Sequence, residues 1–579
     1  MAALSTPQPA GRFQFYRGRA SLLTDAIVFA GALAALYALF GVGRVWLAPF
    51  QPAAEISRSP KSLPLYAMYS LGRMGIAYLA SLVFALVYAY LAARNRAAER
   101  LMIPLLDILQ SIPVLSFLPG VMLAMVALFP GRQIGLELGS ILLIFTGQVW
   151  NMAFSFYASL KSLPQELIEA TCTYRFGRWQ RFYELELPFG AIGLVWNSLM
   201  SVAGGWFFLM ACEMFQLGNR DFRLPGLGSY LQSAANHGDT GAILWGLAAM
   251  ILVILLLDLV LWRPLIAWAE KFKFEQVESA NTPQSVTLSA LRHSAILAWL
   301  NRKALAPAWE ALTLRVARHE AAEPPQAPPA PWRTLAARAV GIAALILILY
   351  GSMRAGRSLM ELTRSDLVAL FRGAMATFGR VILALAIGTL WTVPVGVAVG
   401  SRPRLAALAQ PVAQVAASVP ATALFPIVLL VLLRFGGGMA IAAIVLMLLG
   451  TQWYLLFNII AGAQALPTDL KEVATVYHFS GWDRWRLLIL PGIFPYLVTG
   501  LVTAAGGAWN ASIIAEYFHF KGRVMATTGL GATISHATDS GNFQLLLAST
   551  VVMAIVVVTI NRLLWKRMYR LAQTRFQLG

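Results

Sequence analysis

The chain has 579 residues, 58% of them hydrophobic and only 12% charged, with a mean hydropathy of +0.67. This composition excludes a soluble globular enzyme and describes an integral membrane protein. The net charge of +19 is read as basic loops on the cytoplasmic face rather than as nucleic-acid binding.

Residues 1–24 are polar, with Arg12, Arg17 and Arg19. Ala26 to Gly43 carries no charge and predicts a first span. A cleaved signal peptide is the competing reading, rejected because similar runs follow. A loop over residues 48–65 leads to a second span, Met74–Ala93, closed by Arg94, Arg96 and Arg100. The third, Leu101–Gly131, holds Asp107 and three prolines, Pro104, Pro113 and Pro119. These prolines predict a bent packing helix or a flexing wall of a pathway. The fourth, fifth and sixth spans are Leu138–Leu160, Leu187–Cys212 and Thr240–Trp262.

Between the fourth and fifth spans stand Lys161, Glu166, Glu169, Arg175, Arg178, Arg181, Glu184 and Glu186. Charges in hydrocarbon cost several kcal/mol, so this piece must lie at the membrane surface. Pro164 suits the first turn of a short helix there, and Pro188 is expected to restart the chain after a break.

From Glu270 to Arg333 the chain turns polar, with a Leu/Ala-rich stretch and a Pro-rich end. We read a cytoplasmic linker, an interfacial amphipathic helix followed by a stiff tether. Spans Ala339–Met353, Val381–Ser401, Leu405–Leu433, Phe435–Thr468, Leu487–Ala515 and Gly541–Asn561 follow, and then a basic tail. The predicted units are 1–24, a first domain 25–269, a linker 270–333 and a second domain 334–579. Both termini are expected in the cytoplasm.

The second half repeats the first. A step of 303 positions carries Trp150 to Trp453, Glu169 to Glu472, Trp179 to Trp482, Pro188 to Pro491, Trp206 to Trp509 and Glu213 to Glu516. The three prolines recur at a step of 307, as Pro411, Pro420 and Pro426. The fold expected is an all-α membrane protein of about twelve transmembrane helices, in two six-helix halves related by a pseudo-two-fold axis.

The charged piece resembles the cytoplasmic signature of binding-protein-dependent ABC importer permeases of the type I fold. The first copy reads Glu169-Ala170-Thr171 and closes on Leu187-Pro188; the second reads Glu472-Val473-Ala474 and closes on Ile489-Leu490-Pro491. In both, the final proline follows the glutamate by nineteen residues, as in the family. Arg175 and His478 stand where the family has glycine, and Gly177 and Gly481 are expected to take over the turn. The resemblance implies that Pro164, Glu169, Ala170, Gly177, Trp179 and Pro188, with Pro467, Glu472, Ala474, Gly481, Trp482 and Pro491, form two coupling segments docking on ATPase subunits.

Glu213 and Glu516 each precede the first glycine of a Gly-Leu-Gly by thirteen residues. An acid at membrane depth is a functional candidate; the alternative is an interfacial acid paired with Arg220 or Lys521. Together with Gly-Leu-Gly, these acids resemble the nitrate/sulfonate/taurine-type permeases, in a branch with two fused copies. That resemblance implies a small, anionic solute. Arg220, Arg223, Lys521 and Arg523 would favour anion entry weakly. It also implies two ATPase subunits, alike or different, a periplasmic or extracellular binding protein, and the bacterial inner membrane.

Small residues, Gly204-Gly205 and Gly507-Ala508, sit beside Trp206 and Trp509 and suit close helix approach. The expected pathway runs between the third and fifth helices of both halves. Pro113 and Pro420 are expected on its walls, with outward closure near Trp206, Glu213, Trp509 and Glu516.

No Gly-x4-Gly-Lys-Ser/Thr loop, zinc motif or nucleophile elbow is present, so the chain is not expected to be its own ATPase or to hold a cofactor; the resemblance implies ATP and Mg on the partner ATPase. Cys172 and Cys212 have no spaced partner, so neither a disulfide framework nor a metal site follows. An ion-gradient-driven secondary transporter is the alternative, because twelve spans and a repeat suit that class too.

Overall fold

The computed structural model describes residues 56–217, 220–272, 286–322, 349–354, 356–357, 359–436, 438–466 and 468–575, with residues 25, 26, 29, 339, 342, 343 and 346 besides. Backbone groups in lipid must be satisfied internally, and an apolar run does this by becoming a helix. Among the described residues, eight helices are long and apolar enough to cross a membrane. The predicted first span of the first half lies for the most part outside the described residues, and that of the second half is described only at 339, 342, 343, 346 and 349–353; Pro467 and the Pro-rich tether lie outside them.

In the first half, α1 (Leu63–Arg94) and α2 (Arg96–Ser111) precede a 3-10 turn, Val114–Phe117, and α3 (Leu118–Leu128). Then come α4 (Ile134–Lys161) and the surface helix α5 (Gln165–Thr173). They are followed by α6 (Arg178–Glu213), α7 (Leu227–His237) and α8 (Thr240–Ala269). The linker contributes α9 (Val286–Arg292), α10 (Ala295–Leu300) and α11 (Ala306–Ala322). The second half repeats the order with α12 (Arg364–Gly400), α13 (Pro403–Ser418), α14 (Ala421–Arg434) and α15 (Met439–Gln464). It ends with α16 (Thr468–Val476), α17 (Gly481–Ala515), α18 (Leu530–Ser540) and α19 (Phe543–Ala572). A two-stranded hairpin follows the fifth span in each half.

Three features depart from the sequence expectation. The third span of each half is two helices, broken before Pro113 and Pro420. Proline lacks an N–H and pushes the residue before it out of the helical region; Ile112 and Val419 are extended, with ψ of 125° and 117°. Pro188 and Pro491 do not restart the chain. Instead the helix widens into a π turn just ahead of each, at Phe182–Glu186 and Trp485–Ile489, and α6 and α17 run on without a break. The second spans begin at Leu63 and Arg364, well before Met74 and Val381, because Arg73 and Arg380 lie within the helices.

Within each half the second span lies on the fourth and the fourth on the fifth: α1 on α4 on α6, and α12 on α15 on α17. The broken third segments join the halves. Residues Val114–Phe117 contact α17 and α19, while α13 and α14 contact α6 and α8. Thr550 Oγ1 donates to the Ser116 carbonyl at 3.0 Å, and the Leu115 amide donates to Asn510 Oδ1 at 3.4 Å.

The α12–α15 crossing depends on small residues. A Cβ at Gly400 would stand 2.7 Å from both the Ile460 carbonyl oxygen and the Ala463 Cβ. Gly400→Leu is therefore expected to overpack the crossing and cost about 1–3 kcal/mol. The drop in thermal midpoint of the purified chain, set against Gly351→Leu, where a Cβ meets nothing within 4 Å, measures it.

Candidate coupling segments, buried carboxylates and central cavity

Glu169 and Ala170 are exposed on α5, and Glu472 is exposed on α16, while Ala474 is buried at its base. Pro164 is the N-cap of α5, one residue ahead of the expected first turn. The two helices end alike. The Phe176 amide donates to the Thr171 carbonyl at 2.9 Å and the Arg175 amide to Cys172 at 3.0 Å. In α16, Phe479 donates to Ala474 at 2.8 Å and His478 to Thr475 at 3.0 Å. This pair of bonds closes a helix through one left-handed residue. Arg175 and His478 are that residue, with φ of 51° and 53°. The neighbouring glycines do not take over the turn. Gly177 is extended at φ −65°, and Gly481, though at φ 48°, already begins the next helical turn. The left-handed site is set by its distance from the helix end, whichever residue stands there.

The bases of the two segments differ. Glu186 is buried and accepts from Arg94 at 2.5 Å and Arg181 at 2.9 Å. Glu99 accepts from Lys161 at 2.9 Å and from the Tyr157 hydroxyl. The Lys161 ammonium, with the Tyr157 hydroxyl beside it, holds the Glu99 carboxyl below the usual carboxylate range. Ser401, Ile489, Ala406 and Gln464 occupy the corresponding places of Arg94, Glu186, Glu99 and Lys161 in the second half. Trp179 packs against Trp309 of linker helix α11 at 6.3 Å, and Tyr183 meets the same ring at 4.6 Å. Trp482, its repeat partner, is 69% exposed.

Glu213 and Glu516 are fully buried. Among the described residues Glu516 forms no ion pair with Lys521 of the kind the interfacial alternative had; the side chain of Arg220 lies outside them. Arg73, from the second span, donates to Glu213 at 2.8 Å, and Arg380 donates to Glu516 at 2.7 Å. Ser70 donates to Glu213 at 2.7 Å while accepting from the Leu227 amide at 3.0 Å. Thr377 does the same for Glu516 and the Leu530 amide. Each carboxylate also receives the N-terminal amides of the next short helix, Gly228 at 2.7 Å and Gly531 at 3.0 Å. The Gly-Leu-Gly sequence is explained here: a Cβ at Gly226 or Gly529 would stand 2.3 or 2.0 Å from a carboxylate oxygen. The first half adds Glu137, held bidentately by Arg73 at 2.6 and 2.8 Å, where the second half has Ala440. Arg73, Arg380 and Glu137 escaped the sequence reading. The step of 307, which pairs Ser70 with Thr377 and Arg73 with Arg380, was the available signal for the arginines.

A central cavity of about 290 Å³ lies between the halves. Trp509 and Pro420 line it; Pro113 stands just outside, next to the lining residue Val114. Trp206, Glu213 and Glu516 do not line it. The acids do not face this cavity; their oxygens are taken up by arginine, hydroxyl and backbone donors. Trp206 and Trp509 are each only 2% exposed, so neither lies in a lipid-facing aromatic belt.

Two homologous bundles, each with a short surface helix between its fourth and fifth spans, define a duplicated membrane permease fold. The chain belongs to the family of binding-protein-dependent transport system inner membrane components, matched over residues 81–262 and again over 388–576. It is 27% identical over 194 residues to a nitrate import permease of Leptolyngbya laminosa, covering 34% of this chain and 66% of that one. A bicarbonate transport system permease of Synechocystis is 31% identical over 147 residues, 25% of this chain and 51% of the relative. A taurine transport system permease of Escherichia coli is 28% identical over 187 residues, 32% and 64% of the two chains. The chain thus spans about half to two thirds of the length of the curated relatives it matches.

Removing one member of a buried ion pair costs about 3–5 kcal/mol. Arg73→Gln, which strands two carboxylates, is expected to lower the thermal midpoint more than Arg380→Gln, which strands one. Glu137→Ala, which recreates the second half's arrangement, should do far less than either.

A left-handed non-glycine residue costs about 1–2 kcal/mol. Arg175→Gly and His478→Gly are each expected to raise the chain's unfolding free energy by about 1 kcal/mol, and Arg175→Val to lower it. Denaturant melts of the purified chain decide the sign.

Proposed function

We propose that this chain is the transmembrane subunit of an ATP-driven importer, forming the path for a small solute handed over by a separate binding protein. The solute class is the small anions and sulfonates named for the relatives: nitrate, bicarbonate and taurine. Two ATPase subunits, carrying ATP and Mg, dock on α5 and α16. The chain sits in the bacterial cytoplasmic membrane with both termini and the linker inside.

The observation that carries this reading is the pair of surface helices closed by left-handed turns and bearing exposed apolar rings. Tyr174 is 75% and Tyr477 71% exposed, with Val473, Val476 and Trp482 beside them. Exposed apolar groups clustered on a charged surface mark a docking site. A gradient-driven transporter has no need of such docking helices, and family membership speaks for the importer. In this reading Pro113 and Pro420 are the hinges of the pathway walls, and Trp509 closes the cavity with Trp206 packed behind.

Glu169→Lys combined with Glu472→Lys is expected to abolish ATP-driven uptake, at least a hundredfold, while the chain stays in the membrane at normal level. Uptake by cells carrying the full transporter, normalised to the amount of chain, checks it. Normal transport by the double variant would refute docking through these helices.

A further inference from the structure

The relatives are named for both inorganic oxyanions and an organic sulfonate, and the lining of the cavity offers these classes different contacts. Among its described lining residues there is no Lys, Arg, His, Asp or Glu. Any anion entering it surrenders hydration with no cation to replace it, and an inorganic one has no carbon part for the apolar lining to hold in return. Polar groups are nevertheless present. The Tyr454 hydroxyl has no hydrogen-bond partner among the described residues, and a Cβ at Gly204 of the opposite half would stand 3.3 Å from it. Asn510 spends one amide hydrogen on the Gly506 carbonyl at 3.1 Å and keeps the other.

The repeat exposes an asymmetry. Where the second half presents Asn510 and Ala511, the first presents Phe207 and Phe208. Where the second presents Tyr454, the first presents Asn151. At this layer Phe207, Phe208 and Asn151 of the first half face Tyr454 and Asn510 of the second, so the two walls are not copies of each other. Two identical permeases would have to repeat one wall on both sides; a fused pair does not. The volume, about 290 Å³, stands at the small end of ligand pockets, roughly 300–1,000 Å³.

We propose that this cavity is a binding site for a small organic oxyanion, its carbon chain against Phe207 and Phe208 and its head group on Tyr454 and Asn510. Neutral hydrogen-bond donors suit a charge spread over several oxygens, and the two phenylalanine rings have a use only if the solute has a carbon part. A solute that also carries an amine, and so no net charge, loses least on entering a site without charges. The proposal rests on the permease reading, but its test needs no ATPase.

The test places a reporter at Thr503, which lines the cavity. In the full-length chain with the exposed Cys172 replaced by serine and the buried Cys212 kept, Thr503→Cys is labelled in nanodiscs by a small water-soluble thiol reagent. Taurine and ethanesulfonate at millimolar concentration are expected to slow labelling at least threefold, and nitrate and bicarbonate not to. Asn510→Leu and Tyr454→Phe should each raise the taurine concentration giving half protection about tenfold. Each variant keeps the branching or ring of the side chain while removing its polar atoms, and a normal thermal midpoint shows that it folds, Asn510→Leu despite losing the acceptor for the Leu115 amide. Absence of labelling, protection by nitrate equal to that by taurine, or protection unchanged in both variants would each overturn the proposal. A chain that protects with taurine yet fails to couple to ATP would sink the importer reading and leave this site standing.

Discussion

Each half is held at one end by a fully buried carboxylate. Glu213 and Glu516 gather three elements distant in sequence: the second span through Arg73 or Arg380, the end of the fifth span, and the start of a short helix through its free amides. An isolated buried carboxylate would be prohibitive. With an arginine, a hydroxyl and a helix terminus as partners, it becomes a joint whose every member depends on the others. In the first half the joint holds one arginine and two carboxylates. Both carboxyl groups lie at helix N-termini, Glu137 in the first turn of α4 and Glu213 against the first amides of α7, where the peptide dipoles favour an acid. The second half balances one charge against one.

The repeat, the surface segments and most of the spans were legible because they depend on local patterns: charge-free runs, charged interruptions and a fixed step. The joints were not. Arg73 stands 140 residues from Glu213, and a charge beside an apolar run reads as the end of a span when its partner is unseen. The broken third segments were half legible. Three prolines announced a bend, but whether it bends or breaks depends on neighbours from the other half, such as Asn510 and Thr550. The left-handed turns were misassigned to Gly177 and Gly481 because glycine was taken as the cause of the conformation. The hydrogen bonds that end α5 and α16 impose it on Arg175 and His478 instead.

Duplication has let the halves diverge where symmetry would otherwise forbid it. The first surface segment stands on a base of ion pairs and is buttressed by Trp309 of the linker. The second has Ile489 and Ala406 in those places and an exposed Trp482. The first base is braced against the spans by directional, charge-assisted contacts; the second is held by apolar packing, which resists small rotations less.

The wedging of each third segment between the fifth and sixth helices of the opposite half bears on how the chain is made. Until α17 and α19 have emerged, Val114–Phe117 has no neighbours on one side, and the carbonyl of Ser116 has no hydroxyl to meet it. The packing of the first half is therefore complete only once these later helices of its own chain are in place. Because the linker keeps the late helices tethered nearby, their docking is an intramolecular encounter and not a search for a second protein. Fusion thus trades a concentration-dependent assembly step for a folding step within one chain.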